Sequence, residues 1–217
     1  MRIPSRWARA LRSCFGEPVA LEDTVYFDSK KNQVSLLLLK ERAVIGKMFC
    51  WGDPEKEERI LRRASEKGLH VPRILGRYRS ILFLEYIKGR NLRVLRDEPG
   101  FPDVIRELAR WLALFHEAFR RGKKTSLLKG DMRLQNFIQS GDRIYGVDFE
   151  ESEAGPPVRD VADMAATLLG IDGFKSGQNL DVFIESYGEH SRFDLSGLEA
   201  HLGEIKERRA RLAELRQ

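Results

Sequence analysis

The chain has 217 residues, 42% of them hydrophobic and 33% charged, with a formal net charge of +5. That length can bury a core for one cooperative unit or two closely packed lobes, and this composition excludes a disordered chain. The longest apolar run, Trp111 to Phe115, is far below the roughly 20 residues of a membrane-spanning helix, so no such helix is expected.

In chain order, residues 4–15 read as a short helix: Trp7, Leu11 and Phe15 share one face, and Arg6, Arg9 and Arg12 lie elsewhere. No apolar signal core accompanies these arginines, and the two cysteines, Cys14 and Cys50, supply neither a disulfide framework nor a metal set. The expectation is a cytoplasmic protein. Strands are predicted over 25–28, 34–39 and 44–49, divided by the turn formers Ser29 to Asn32 and by Glu41-Arg42. Asp53-Pro54 opens a helix, Asp as N-cap and Pro at its first position, that runs to about Lys67 and stops at Gly68. Strands follow over 71–76 and 81–87. Beyond Gly89 the pattern turns helical, over 104–119, 158–169, 180–187 and 195–215. In the last stretch Leu195, Leu198, Leu202, Ile205 and Leu212 recur at near-heptad spacing, which reads as a helix packed on its own lobe. Two domains are expected, 1–88 rich in strands and 89–217 largely helical.

The chemistry concentrates in Lys129-Gly130-Asp131-Met132-Arg133-Leu134-Gln135-Asn136 and in Ile144-Tyr145-Gly146-Val147-Asp148-Phe149. Phosphoryl transfer needs a carboxylate that orients an attacking hydroxyl and accepts its proton, and oxygen ligands that hold a divalent metal against nucleotide phosphates. Asp131 suits the first task, Asn136 and Asp148 the second. The turn Ser140-Gly141-Asp142 lets two short strands place the two ligands side by side.

This ordered set resembles the protein-kinase-like superfamily, in particular its small members: aminoglycoside and choline phosphotransferases, RIO kinases, lipopolysaccharide-core sugar kinases and the small kinase of the KEOPS complex. Their catalytic loop reads H-G-D-x-x-x-x-N, and their metal Asp stands in a D-F-x context. The resemblance covers about residues 34–170. It implies an α+β, bilobal fold, a small antiparallel sheet lobe with one helix joined near Lys88 to a helical C-terminal lobe. It also implies ATP with Mg2+ or Mn2+, and phosphate transfer to a hydroxyl on a small molecule, a sugar or a protein Ser/Thr. By the same match Lys47 grips the α- and β-phosphates and is held by Glu57, with Glu55 and Glu58 as alternatives. Glu85 and Ile87 offer backbone groups to adenine, and Ile45, Ile138 and Val147 supply apolar walls. His116 and Asp160 are assigned to structure, Asp160 bracing the catalytic loop.

Three departures stand out. No G-x-G-x-x-G loop is present; Asp28-Ser29-Lys30-Lys31-Asn32-Gln33 occupies its place. Lys129 replaces the loop's His. Only a short segment separates Asp148 from Asp160, too short for an activation loop and peptide platform. The competing readings are a pseudokinase-like nucleotide-binding module and an accessory protein acting through its arginine-rich ends. A protein partner is compatible with the KEOPS likeness. The basic charge permits nucleic-acid or membrane-surface contact, but no dense basic cluster with interleaved aromatics favours it.

Overall fold

Trp7, Ala10 and Leu11 lie on one side of a helix, and all three are almost completely buried. What they bury against is set by the strands that follow. The computed structural model describes residues 5–16, 21–27, 31–40, 42–172 and 178–214. Contacts divide the chain into two compact units, Met1–Lys88 and Gly89–Gln217.

The first unit contains α1 (Ser5–Phe15), β1 (Leu21–Phe27), β2 (Gln33–Leu39), β3 (Arg42–Met48), α2 (Pro54–Glu66), β4 (Ile74–Tyr78) and β5 (Ile81–Glu85). Its strands form an antiparallel sheet in the order β1-β2-β3-β5-β4. Side chains alternate across a sheet, so register decides which residues face together. Ile45 pairs with Leu36 and Leu84, and Lys47 with Val34 and Leu82, which puts both on one face. The opposite face carries α1: Leu37, Leu39, Val44, Ile81 and Phe83 form one core with Trp7, Ala10 and Leu11. The helix approaches so closely that a Cβ on Gly46 would lie 2.6 Å from the Trp7 ring. Phe15 meets Phe83 edge-on at 5.2 Å, with the Arg42 guanidinium 4.5 Å above its ring. Each buried side chain of this size contributes about 1.5–3 kcal/mol, so α1 is a structural part of the unit.

Asp53 caps α2 by accepting the Glu55 N–H at 2.8 Å, and Pro54 fills the first turn. The strand expected over 71–76 begins only at Ile74. Pro72 has no N–H to give a ladder, and Val71 packs into the core without pairing. Residues 28–30, within the segment that replaces the glycine-rich loop, and Glu41 of the predicted turn lie outside the described residues.

The second unit holds β6 (Arg90–Asn91), α3 (Leu92–Leu95), α4 (Phe101–Ala118), β7 (Ser126–Leu128), a 3₁₀ turn (Leu134–Asn136), β8 (Phe137–Ser140), β9 (Arg143–Gly146), β10 (Glu153–Gly155), α5 (Val158–Asp172), α6 (Gln178–His190) and α7 (Leu198–Glu214). Small antiparallel sheets, β6-β8-β9 and β7-β10, frame the loops between them. α4 is buried along most of its length, and its Trp111 stacks on Phe115 at 5.4 Å and meets Phe137 edge-on at 5.6 Å. Ile205 of α7, with Leu198 and Leu202 beside it, packs on Ala162 and Ala166 of α5. The leucine spacing of the last helix is thus used within its own unit; the Leu212 side chain lies outside the described residues. The result is a mixed α+β fold with antiparallel sheets. Among the described residues no helix is long and apolar enough to cross a membrane.

Candidate active site

In the first unit, alternation along β3 directs Lys47 to the face away from α1, toward α2. Its Nζ donates to Glu57 Oε2 at 2.7 Å, and the two side chains are 6% and 1% exposed. A dry ion pair of this kind is costly to break, because the surviving partner becomes a buried unpaired charge. Glu55 and Glu58, the alternative partners, turn to Arg77, at 3.1 and 2.9 Å. Ile45 is half-buried on the Lys47 face, and Ile87 is buried. Glu85 ends β5, its carboxylate gripped by the Arg73 guanidinium through two bonds of 3.1 Å.

In the second unit, Gly130 opens the loop after β7 with φ +88°, and a Cβ there would lie 2.4 Å from the Glu151 carbonyl oxygen. Both conditions demand glycine. Asp160, from the first turn of α5, braces this loop by accepting the Lys129 N–H at 2.6 Å and the Gly130 N–H at 3.1 Å. Behind it His116 Nε2 lies 3.1 Å from Asp160, and His116 Nδ1 lies 2.8 Å from the Tyr187 hydroxyl. Burial pushes the Tyr187 hydroxyl far above the ordinary phenol range.

Lys129 is fully buried above the rings of Phe137 and Phe149, 5.2 and 5.4 Å from their centroids. Its ammonium donates to the carbonyl of Asp131 at 2.9 Å and to the carbonyl of Asp148 at 3.1 Å. A single cation therefore ties the loop bearing Asp131 to the segment bearing Asp148. Asn136 Nδ2 donates to the Asp131 carbonyl at 3.3 Å, and the Val147 N–H donates to the Asn136 carbonyl at 3.0 Å. Asp131, Asn136, Val147 and Asp148 are thus joined in one network, with half-buried Ile138 on β8 two residues after Asn136 in the chain. Asp148 adopts φ +61°, a left-handed conformation that is uncommon outside glycine, though Asp enters it more readily than most residues.

The Asp131 carboxylate is capped. Arg133 Nε donates to its two oxygens at 2.7 and 3.0 Å, and Nη2 adds a further bond to Oδ2. Partial burial pushes this carboxyl up, but the Arg133 bonds and charge, with smaller help from Lys129 and Asn136, hold it below the usual carboxylate range. Asp148 and Asn136 are hard oxygen donors, the chemistry that Mg2+ or Mn2+ selects. The Asn136 amide nitrogen is spent on the Asp131 carbonyl, which leaves the amide oxygen as the donor for a cation. The donor set fits the metal.

Sequence reasoning singled out the acidic residues and Asp160 as a brace of their loop, and missed the Lys129 tie, the Arg133 cap and the Tyr187 contact. The Lys129 tie depends on rings eight and twenty positions away, and the Tyr187 contact on a residue 71 positions from His116. Arg133 carried a signal: a guanidinium two residues from a carboxylate in an extended loop can fold back on it.

Two units built in this way, an antiparallel sheet with its buried Lys–Glu pair and a helical unit with a D-x-x-x-x-N loop, define the protein-kinase-like fold. The same fold is found in amicoumacin kinase hAmiN, solved in complex with AMP-PNP, Ca2+ and Ami, at a TM-score of 0.71 and 12% identity over 83% of this chain and 77% of that one. It is found again in macrolide 2'-phosphotransferase MphH from Brachybacterium faecium, at a TM-score of 0.69 and 12% identity over 91% of this chain and 88% of that one. In sequence the chain is similar to the KEOPS complex subunit Bud32 of Pyrococcus abyssi, 30% identical over 126 residues, 56% of this chain and 49% of the relative. The EKC/KEOPS complex subunit BUD32 of Encephalitozoon cuniculi is 28% identical over 99 residues, 45% of this chain and 46% of the relative. The chain spans about half the length of the curated relatives it matches. No family model matches it.

Proposed function

We propose that this chain is an ATP-dependent phosphotransferase that moves the γ-phosphate to an acceptor hydroxyl. The observation that carries this reading is the hydrogen-bonded set of Asp131, Asn136 and Asp148, held together through Lys129 and the Asn136 amide. In it Asp131 is the base: it accepts the hydroxyl proton as the acceptor oxygen bonds to the γ-phosphorus and the bond to the ADP oxygen breaks. Asp148 and Asn136 hold Mg2+ or Mn2+, which neutralises phosphate charge when bound. Lys47, oriented by Glu57, reaches the α- and β-phosphates. Ile45, Ile138 and Val147 are the apolar contacts for the base, and the backbone of Glu85 and Ile87 supplies its hydrogen bonds. In this reading 1–88 is the nucleotide-binding lobe, 89–217 the catalytic lobe, and the compartment is the cytoplasm. The acceptor is a small molecule, a sugar or a protein Ser/Thr, and the likeness to a KEOPS subunit supports a protein partner.

The test is transfer from labelled ATP to a panel of hydroxyl acceptors, with ATP hydrolysis as the acceptor-free control. Asp131→Asn should lower turnover by about 10²–10⁴-fold and leave ATP affinity nearly intact, since a base acts on the acceptor and not on the nucleotide. Equal loss of affinity and turnover would make Asp131 a loop brace. No loss in either would leave a nucleotide-binding module.

A further inference from the structure

The Arg133 cap raises a chemical problem for the proposed base. To take a proton, Asp131 must offer an oxygen to the acceptor hydroxyl, yet Arg133 Nε reaches both oxygens, at 2.7 and 3.0 Å, and Nη2 reaches one of them as well. Two cations stand beside this carboxylate. Lys129 is fully buried and committed to two backbone carbonyls, so it cannot move. Arg133 is the opposite: its side chain is 60% exposed, whereas that of Asp131 is 15% exposed. Its backbone is extended at the entry to the 3₁₀ turn, so the guanidinium can swing outward without disturbing the loop. The charges of Asp148 and Glu151 also favour the guanidinium here, so a group that draws it off has to offer it negative charge in return.

We propose that Arg133 is a removable cap on Asp131, and that the acceptor is a hydroxyl compound bearing an anionic group, a phosphate above all, that draws Arg133 off as it binds. This deepens the phosphotransferase reading and rests on it. The guanidinium half of this pair faces solvent, where such bonds are held less firmly than in a buried pair, and a phosphate offers it a matched bidentate partner of higher charge. Binding such an acceptor uncovers the base at the moment its hydroxyl arrives. A cationic acceptor meets Arg133 and is repelled, and a neutral one leaves the cap in place. The acceptor's anion thus acts as both recognition element and trigger.

ATP hydrolysis, with water as acceptor, reads the cap directly. In the wild-type protein with magnesium, methyl phosphate, which has no hydroxyl to phosphorylate, should raise hydrolysis by about five-fold, the scale of an exposed ion pair. Choline should not raise it. R133M should hydrolyse ATP at the raised rate without any addition and ignore methyl phosphate. No stimulation of the wild type, or stimulation that persists in R133M, overturns the proposal. Slower hydrolysis in R133M also overturns it, because Arg133 then serves the nucleotide phosphates. If neither protein turns over bound ATP, the phosphotransferase reading fails, and the anion site is judged separately. A shift of the Arg133 Nε–Hε magnetic resonance on titration with methyl phosphate supports the site, and no shift rejects it.

Discussion

Lys129 stands where the catalytic loops that this segment resembles carry a histidine, and the two side chains differ in what they can bind. A neutral imidazole ring has one N–H, whereas an ammonium has three donors. Lys129 spends two of them on the carbonyls of Asp131 and Asp148, with aromatic faces below to offset its burial. The tie acts on the backbone carbonyl of Asp148 and not on its carboxylate. At this scale the expected outcome concerns the metal. Asp148→Asn keeps the shape and removes the charge, so it should weaken magnesium-dependent ATP binding by about 1–3 kcal/mol, the scale of a lost charge-assisted contact. Calorimetric titration with and without magnesium checks this. Loss that is equal in both conditions would locate the effect in the backbone tie and not in metal binding.

Among the elements, long helices and most strands of the first sheet are legible in the sequence because their periods run over several turns or pleats, whereas β1 begins at Leu21, four residues before its expected start. β7 and β10, three residues each, are too short to show a period and exist only because they pair with one another. The strand start at Ile74 was misread because Val71 is buried like a strand residue yet stands before Pro72. The D-x-x-x-x-N loop is legible because its spacing is local, and its brace Asp160 through the resemblance; the His116–Tyr187 contact behind that brace joins α4 to α6 and carries no local mark. Glu117 is a further example. From the last turn of α4 it binds Arg120 and accepts the Arg192 N–H at 2.8 Å, which clasps the segment after α6. Burial pushes its carboxyl up, but Arg120, the Arg192 N–H and Ser191 together hold it below the usual range. A depressed folded value means that the clasp stabilises fully above the unfolded pKa, about 4.3. The contribution is lost as pH falls through the lower folded value. Glu117→Gln should therefore lower the urea midpoint near neutral pH, and the difference from wild type should vanish in strong acid. A difference independent of pH would contradict the assignment.

At the scale of the whole molecule, the division into Met1–Lys88 and Gly89–Gln217 assigns each unit its own core. In the first, α1 closes one face of the sheet, and Trp7 is its main anchor at 0% exposure. The Trp7 indole N–H is buried without a hydrogen-bond partner, so volume and not polarity makes the anchor. Trp7→Ala should cost about 3–5 kcal/mol, the range for emptying a core of a large aromatic side chain. Trp7→Phe, which keeps an aromatic body and removes the orphaned N–H but gives up part of the volume, should cost less, about 1–2 kcal/mol. Because the second core is built from α4, α5, α6 and α7, the lesion should be local. Hydrogen exchange followed by mass spectrometry should show faster exchange in β2, β3 and β5 of Trp7→Ala, with α4 and α6 protected as in the wild type. ATP binding should weaken along with it, since Lys47 stands on β3 in the same sheet. Uniform loss of protection through α4 and α6 would mean that the chain unfolds as one cooperative body, and the two cores would then be parts of a single unit.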